Sequence, residues 1–381
     1  MKLAYISPSV LPSRSANSVH VVQQCDAFGR LGVEVTLFSK RLQRSTDLLT
    51  EVRGAYGVDL ENVVLSTVYT RWARANNLSI ALHALIRIFG NRFDVILSRN
   101  LFASFLLALV TKCPLIVEVH QVERGIRGWL QRIACCGRNV KVVVISKQLG
   151  RDLTRHVGNA IAPIHVLHDA APETPALRTE EQRESWRREL LPNPVDRESF
   201  VCGYVGHLYA GRGIEIIESL AHRFPDILFL VVGGTEKDIA VRRRKHFAKN
   251  LRFLGYVPHP FARRVMSAVD LLLMPYQERV SIGLTGHETG RWMSPMKMFE
   301  YMSSGTPFIA SDLPVLREVL CDGGNAVMVA SDNIEAWSNC ILALRNDPTR
   351  RKALAKRAHD DYRANYTWRR RAERMIHLVS E

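Results

Sequence analysis

Two stretches of the chain hold charged side chains in places where a folded protein needs a reason for them. Residues 294–314 read SPMKMFEYMSSGTPFIASDLP. Lys297 and Glu300 sit one helical turn apart, behind Pro295 and ahead of the break Ser303-Ser304-Gly305 and the apolar run Pro307–Ala310. A lysine in the first turn of a helix opposes the helix dipole and costs stability unless it meets an anion. Glu300, a turn later, could accept hydrogen bonds from paired hydroxyls such as those of a ribose. The competing assignment is an i,i+3 surface ion pair worth ~0.3 kcal/mol. Met296, Met298, Phe299, Tyr301 and Met302 crowd the same helix and weigh against a surface pair. The second stretch is GHLYAGRGIEIIESL, directly after Val205. Gly206 frees the backbone and Arg212-Gly213 opens a helix. A guanidinium beside a helix N-terminus can grip phosphate oxygens together with backbone N–H groups. A surface arginine next to a loop glycine is the plain alternative.

Both stretches must be placed by the elements around them. Lys2–Ser7, Val33–Ser39, Asp94–Ser98, Pro114–His120, Val140–Ser146 and Pro163–His168 read as strands. Helical patterns lie between them at Val19–Leu31, Arg71–Gly90, Leu101–Lys112 and Ile126–Cys136. The strands are continuous apolar runs, which implies burial on both faces, and their alternation with helices predicts a parallel doubly wound sheet. The pattern stops after Asp169 and restarts with Phe200–Gly206, Ile227–Gly233, Leu251–Val257, Val269–Pro275, Pro307–Ser311 and Ala326–Ala330. The expected organisation is therefore a domain over 1–168, a linker or hinge over 169–198 holding one surface helix, and a second domain over 199–364. A helix at about 365–381 is expected to complete the first domain. Ligands of such sheets bind at the carboxyl ends of the strands, so two sheets facing across a cleft is the expected arrangement.

A chain of 381 residues is too long for one core, and its ordinary 47% hydrophobic and 23% charged content excludes extensive disorder. No apolar run reaches the ~18 residues of a membrane span. MKLAYISPSV breaks at Ser7-Pro8 and reads as a buried strand rather than a signal peptide. Seven cysteines, with Cys135-Cys136 adjacent and no CxxC, fit neither a disulfide framework nor a zinc site; reduced thiols in a cytoplasmic compartment are expected. The +15 net charge points to nucleic acid, an anionic membrane surface or phosphorylated small molecules as partners. Nucleic acid is disfavoured, because aromatics are only 8% and no basic stripe interleaves with them. RGIRGWLQRIACCGR (124–138) sets Arg124, Arg127 and Arg132 beside Trp129, Leu130 and Ile133. That pattern suits either a helix lying on anionic lipid or a core-facing helix with a solvated basic side. The absence of GxGxxG, GxxxxGK[ST], HExxH and GxSxG removes the usual support for classical dinucleotide, P-loop, zinc-protease and serine-hydrolase chemistry.

The series GYVGHLYAGRGIE, LFLVVGG, LRFLGYV, VDLLLMPY and SPMKMFEYMSSGTPFIASDLPVLREV closely resembles the C-terminal domain of GT-B fold glycosyltransferases of family 4. The match is strong over roughly 200–330 and looser in the N-terminal half, through KLAYISP, FGRLGVEVTLF and IVEVH. The resemblance implies a retaining transferase with two Rossmann-like domains, moving a sugar from a UDP- or GDP-linked donor to a glycan or lipid-linked acceptor. If the 124–138 helix lies on anionic lipid, the acceptor is expected to be a lipid-linked or envelope glycan precursor, in bacterial cell-surface polysaccharide synthesis at the cytoplasmic face of the inner membrane. The resemblance implies no cofactor besides the donor and no metal.

Carried over by position, the resemblance puts Glu300 on the donor's ribose, and Arg212 with Lys297 on its diphosphate. Gly206, His207 and Met296 line the donor, and His120 lies near the transferred sugar. Ser15 and Asn17 belong to an acceptor-side loop, Ser13 to Ser18, that replaces a glycine-rich one. The sequence departs from the family at Trp292, eight residues before Glu300, where a first glutamate is usual, and at Pro295, where glycine is common. Glu288 is the acidic residue that could take the vacated place. The alternative is a catalytically lapsed GT-B protein that binds membranes or polyanions; the retained Arg212, Lys297, Glu300 and His120 speak against it.

Overall fold

The protein is described from a computed structural model covering residues 1–42, 47–70, 77–174, 177–191, 193, 197–245, 248–280 and 290–380. Its contacts divide the chain into two compact units, Met1–Ala170 with Trp368–Glu381, and Ala171–Thr367.

The first unit is built on seven parallel strands: β1 (Lys2–Val10), β2 (Glu34–Arg41), β3 (Val63–Tyr69), β4 (Val95–Ser98), β5 (Leu115–Val119), β6 (Val140–Val144) and β7 (Ile164–Val166). Their order is β3-β2-β1-β4-β5-β6-β7, and Tyr5 of β1 pairs with Leu37 on one side and Leu97 on the other. Central strands such as β5 are buried along their whole length, as apolar runs covered by helices on both faces must be. The covering helices are α1 (Ala16–Arg30), α2 (Leu48–Tyr56), α3 (Asn77–Gly90), α4 (Leu101–Val110), α5 (Gly125–Ala134) and α6 (Lys147–Val157), with the C-terminal helix Trp368–Ser380 against α1. Polar residues set where helices begin. Ser15, Asn100 and Ser146 each accept a hydrogen bond from the backbone two or three residues inside α1, α4 and α6.

The second unit repeats the plan with β8 (Phe200–Val205), β9 (Ile227–Val232), β10 (Leu251–Gly255), β11 (Leu271–Met274), β12 (Phe308–Ser311) and β13 (Val327–Val329), in the order β10-β9-β8-β11-β12-β13. In each sheet the strand order reverses beside the first strand of the set, at β1/β4 and at β8/β11. That is the point where an open α/β sheet leaves a crevice at its carboxyl edge.

Two differences from the sequence expectation have physical causes. Neither α2 nor β3 was expected: α2 is nine residues long and β3 is an edge strand whose VVLSTVY is mostly half-exposed, so neither shows a sustained apolar period. Sequence alone puts 169–198 in a linker with a surface helix, yet the second unit starts at Ala171. Helix α7 (Glu180–Leu190) is tied to β11's leading residue: Arg183 and the buried Arg187 both donate to Asp270, which also accepts from the Val201 backbone at 2.8 Å. Residues 71–76, assigned from sequence to the helix before Gly90, lie outside the described residues.

Candidate active site

In the second unit, Arg212 and Lys297 arrive from two different crossovers at the carboxyl ends of β8 and β11. Arg212 lies in the loop after β8, ahead of the helix Ile214–Arg223. Lys297 is the second residue of the helix Met296–Ser303. Neither helix start has a side-chain cap, one being preceded by Gly213 and the other by Pro295, so their first N–H groups are not claimed by a neighbouring side chain. Gly213 has φ +80°, and a Cβ on it would lie 1.8 Å from the Pro275 carbonyl oxygen. Only glycine lets the helix begin this close to the end of β11.

Two tyrosines organise the cations. The Arg212 guanidinium donates to the Tyr276 hydroxyl at 2.6 Å and lies 4.8 Å from the centre of that ring. The Lys297 ammonium sits 3.7 Å over the Tyr204 ring and 5.0 Å from the Tyr276 centroid. A Cβ at Gly206 would come within 2.5 Å of the Lys297 Nζ, so the missing side chain is the space the ammonium uses. Lys297 is only 8% exposed. Its Nζ has no hydrogen-bond partner, and among the described residues no carboxylate pairs with either cation. The Lys297–Glu300 surface ion pair allowed by the sequence is thus not formed. Burial and the nearby Arg212 charge push the Lys297 amine well below its usual 10.5. The ring faces give these cations partial compensation; neither receives an anion from the protein.

The other donor-side candidates surround this pair. Glu300 is half-buried on the same helix; its backbone carbonyl accepts from Ser303 Oγ at 2.8 Å, and among the described residues its carboxylate makes no hydrogen bond or ion pair. His207 offers its carbonyl to the Tyr204 hydroxyl at 2.7 Å and stacks its ring on Tyr209. Burial, Arg212 and Lys297 push its imidazole below the ordinary range. Met296 is half-buried at the helix start. Trp292 is half-buried upstream of it, and Glu288 lies outside the described residues. Tyr204 and Tyr276 were not anticipated. Each ends or follows a strand, at a position where a buried aromatic reads as core from sequence.

In the first unit His120 follows β5, with 29% of its side chain open. Its Nε2 lies 3.0 Å from Glu118 Oε1. The same oxygen accepts from Arg371 at 2.8 Å and lies 3.2 Å from His20 Nε2, while His20 Nδ1 is 3.0 Å from Asp169. The His20 contacts meet ion-pair distance without hydrogen-bond alignment. Side-chain atoms of His20, Glu118 and His120 lie within 4.8 Å of one another, near enough for a metal ion. The Arg371 and Arg99 guanidiniums beside Glu118 oppose a cation there. Ser15 caps α1 and Asn17 donates to Ser9 Oγ at 2.8 Å, so both side chains hold the loop's own shape.

Residues 18–171 match the family model described as Glycosyltransferase Family 4, and residues 199–347 match Glycosyl transferases group 1. The phosphatidyl-myo-inositol mannosyltransferase of Mycolicibacterium smegmatis is 28% identical over 209 residues, 48% of this chain and 51% of that protein. A D-inositol 3-phosphate glycosyltransferase of Xylanimonas cellulosilytica is 26% identical over 251 residues, 63% of this chain and 56% of that protein. The chain thus spans about half the length of the curated relatives it matches. Among solved structures, Anabaena HepE in complex with UDP superposes with a TM-score of 0.73 at 15% identity over 100% of both chains. Sucrose-phosphate synthase of Thermosynechococcus elongatus gives 0.75 at 17% identity, covering 100% of this chain and 98% of that one. These likenesses show the fold to be GT-B.

Proposed function

The chain belongs to the group 1 glycosyltransferases, and on that premise we propose that it moves a sugar from a nucleoside-diphosphate donor to a glycan or lipid-linked acceptor, with retention. The observation that carries this is the pair of cations without an anion at the carboxyl ends of β8 and β11. A donor diphosphate has the charge and the span to sit against Arg212, Lys297 and the two uncapped helix starts. Glu300, a turn from Lys297, is then placed for ribose hydroxyls. A leaving diphosphate gains negative charge as the glycosidic bond breaks, and preorganised cations stabilise that charge without a protein nucleophile. Such a site uses its own cations for the neutralisation, so we infer no metal requirement for transfer. Support for a UDP- or GDP-linked donor comes from names of relatives: HepE was solved with UDP, and a mannosyltransferase of Corynebacterium glutamicum is described as GDP-mannose-dependent. A lapsed protein would have no reason to keep a buried lysine without a partner, which costs it stability, beside a half-buried arginine.

Calorimetric titration with UDP, GDP and their sugars tests the donor site. Glu300→Gln should weaken the nucleotide that binds by about tenfold, since the amide keeps the shape and loses charge-assisted acceptance. His120→Ala should leave that affinity unchanged and lower transfer, as expected of a residue facing the sugar. Unchanged affinity in Glu300→Gln would remove the ribose assignment.

The acceptor side points to lipid. α3, α4 and α5 pack side by side and contain no acidic residue. They leave Leu82 (49%), Ile86 (73%), Phe89 (64%), Leu109 (61%), Ile126 (81%) and Trp129 (56%) open to solvent. Arg87, Lys112, Arg124 and Arg132 lie close to them in sequence. Had α5 simply faced the core, Trp129 would be covered. Exposed apolar side chains on three helices without an acidic residue, with arginines and a lysine close to them in sequence, suit an anionic membrane surface, on which a lipid-linked acceptor would be met. Among the described residues no helix is long and apolar enough to cross a membrane, so attachment would be peripheral. Co-sedimentation with phosphatidylglycerol vesicles at low salt is expected. Ile126→Asp with Trp129→Asp should cut it at least tenfold, and equal binding by that double variant would show the face is not used.

A further inference from the structure

The first unit buries more charge around His120 than a sugar contact requires. Glu118 on β5 is fully buried, and one of its oxygens serves His120, Arg371 and His20. Arg371 comes from the C-terminal helix, 253 residues away in sequence, and is itself 3% exposed. It also donates to Gln24 of α1 at 2.8 Å and to the His168 carbonyl at 3.0 Å. Trp368 of the same helix meets the His20 ring edge-on at 4.7 Å. Arg99 lies against Tyr5 and Glu118 from β4's end, and Asp169 closes the far side of His20. Burial pushes the Glu118 carboxyl up, but Arg371 and Arg99 outweigh it and hold it well below the usual carboxylate range. An ionised carboxylate only accepts hydrogen bonds, so the proton between it and His120 belongs to the imidazole Nε2. Burial and Arg99 push His120 down to about 4, against the opposing pull of Glu118, which keeps the ring neutral at pH 7. A neutral imidazole protonated on Nε2 has only a lone pair at Nδ1, and Nδ1 has no partner among the described residues.

We propose that Glu118, clamped by Arg371 of the C-terminal helix, is a positioning residue that fixes His120 in its Nε2–H tautomer and leaves Nδ1 as an acceptor for a ligand hydroxyl. The ligand class follows. A sugar hydroxyl can donate to Nδ1, whereas an ionised phosphate oxygen has no hydrogen to give. This rests on His120 meeting the transferred sugar, and the experiment separates the two ideas.

The full chain with 15N-labelled histidine, His120 being assigned by its loss in His120→Ala, gives the tautomer directly. One neutral Nε2–H ring is expected from pH 8 to pH 5.5; an Nδ1–H ring or an imidazolium at pH 7 overturns the clamp. Glu118→Gln keeps an oxygen and loses the charge, so a second tautomer should emerge. Turnover, read as hydrolysis of UDP-glucose or GDP-mannose, whichever binds, should drop on the order of 10- to 100-fold with nucleotide affinity unchanged. Arg371→Met should give the same two changes in weaker form, and it reports on the clamp if Glu118→Gln folds poorly. A single unchanged tautomer in both variants refutes the positioning role, even where activity falls. Full activity in His120→Ala instead defeats the sugar-contact assignment, while the tautomer spectrum still decides the clamp.

Discussion

Lys297→Met should raise the melting temperature by a few degrees and lower turnover about a hundredfold. The two effects share one cause. Lys297 is buried on Tyr204 and Tyr276 with no carboxylate partner, and Arg212 adds like charge. Replacing a buried charge by a well-packed apolar side chain of similar length is commonly stabilising by about 1–4 kcal/mol. The sign of the pH dependence is fixed too. The native-state value of Lys297 lies below 10.5, so between those values the unfolded chain binds the extra proton. Stability then rises with pH through that window. The gain from methionine is therefore full below the lowered native value and shrinks towards pH 10.5. Loss of one charge-assisted contact to a developing anion costs ~3 kcal/mol of barrier, about a hundredfold. Arg212→Ala should match the loss in rate without any gain in stability, because it also removes the hydrogen bond to the Tyr276 hydroxyl. Thermal scans from pH 6 to pH 9, with turnover measured on the same samples, check this. A lower melting temperature for Lys297→Met with normal turnover would identify a structural lysine and end the diphosphate assignment.

What sequence could carry here depends on the range of the interaction. Strand–helix alternation is local, and the strands from β8 to β13 follow from runs such as ILFLVV and LLLM. The half-exposed edge strand β3 gives no such run. Lys297 was suspect because its helix is short, apolar and starts with a cation, all visible within eight residues. Its actual setting was not visible. Tyr204 and Tyr276 are 72 residues apart in sequence, and they meet Lys297 only because β8 and β11 are neighbours in the sheet. The Glu118 cluster goes further, drawing on α1, β4, β5 and a helix at the end of the chain. IVEVH singles out His120; nothing near it in sequence says that Arg371 fixes the carboxylate two residues before it.

At pH values above the native value of Lys297, binding of a nucleoside diphosphate should take up close to one proton, and its affinity should fall up to tenfold for each pH unit. In the free protein, burial and Arg212 disfavour the ammonium, so its native value lies well below the usual 10.5. A bound diphosphate brings negative charge beside it and raises its proton affinity. Between the free and bound values, only the complex holds the proton, and binding therefore favours low pH. Titrations at one pH in buffers of different ionisation enthalpy read the uptake, and a pH series reads the slope. The groups facing Lys297 are Arg212, Glu300, His207, Tyr204 and Tyr276. Both tyrosines accept the cations through their rings, and His207 is the other group that could gain a proton, since the same cations hold it low. His207→Gln should therefore leave most of the uptake in place, and Lys297→Met should abolish it. Arg212→Ala should reduce it, because without the neighbouring charge Lys297 already carries more of its proton in the free protein. A pH-independent affinity with no proton uptake in the unmodified protein would mean that Lys297 does not meet the diphosphate.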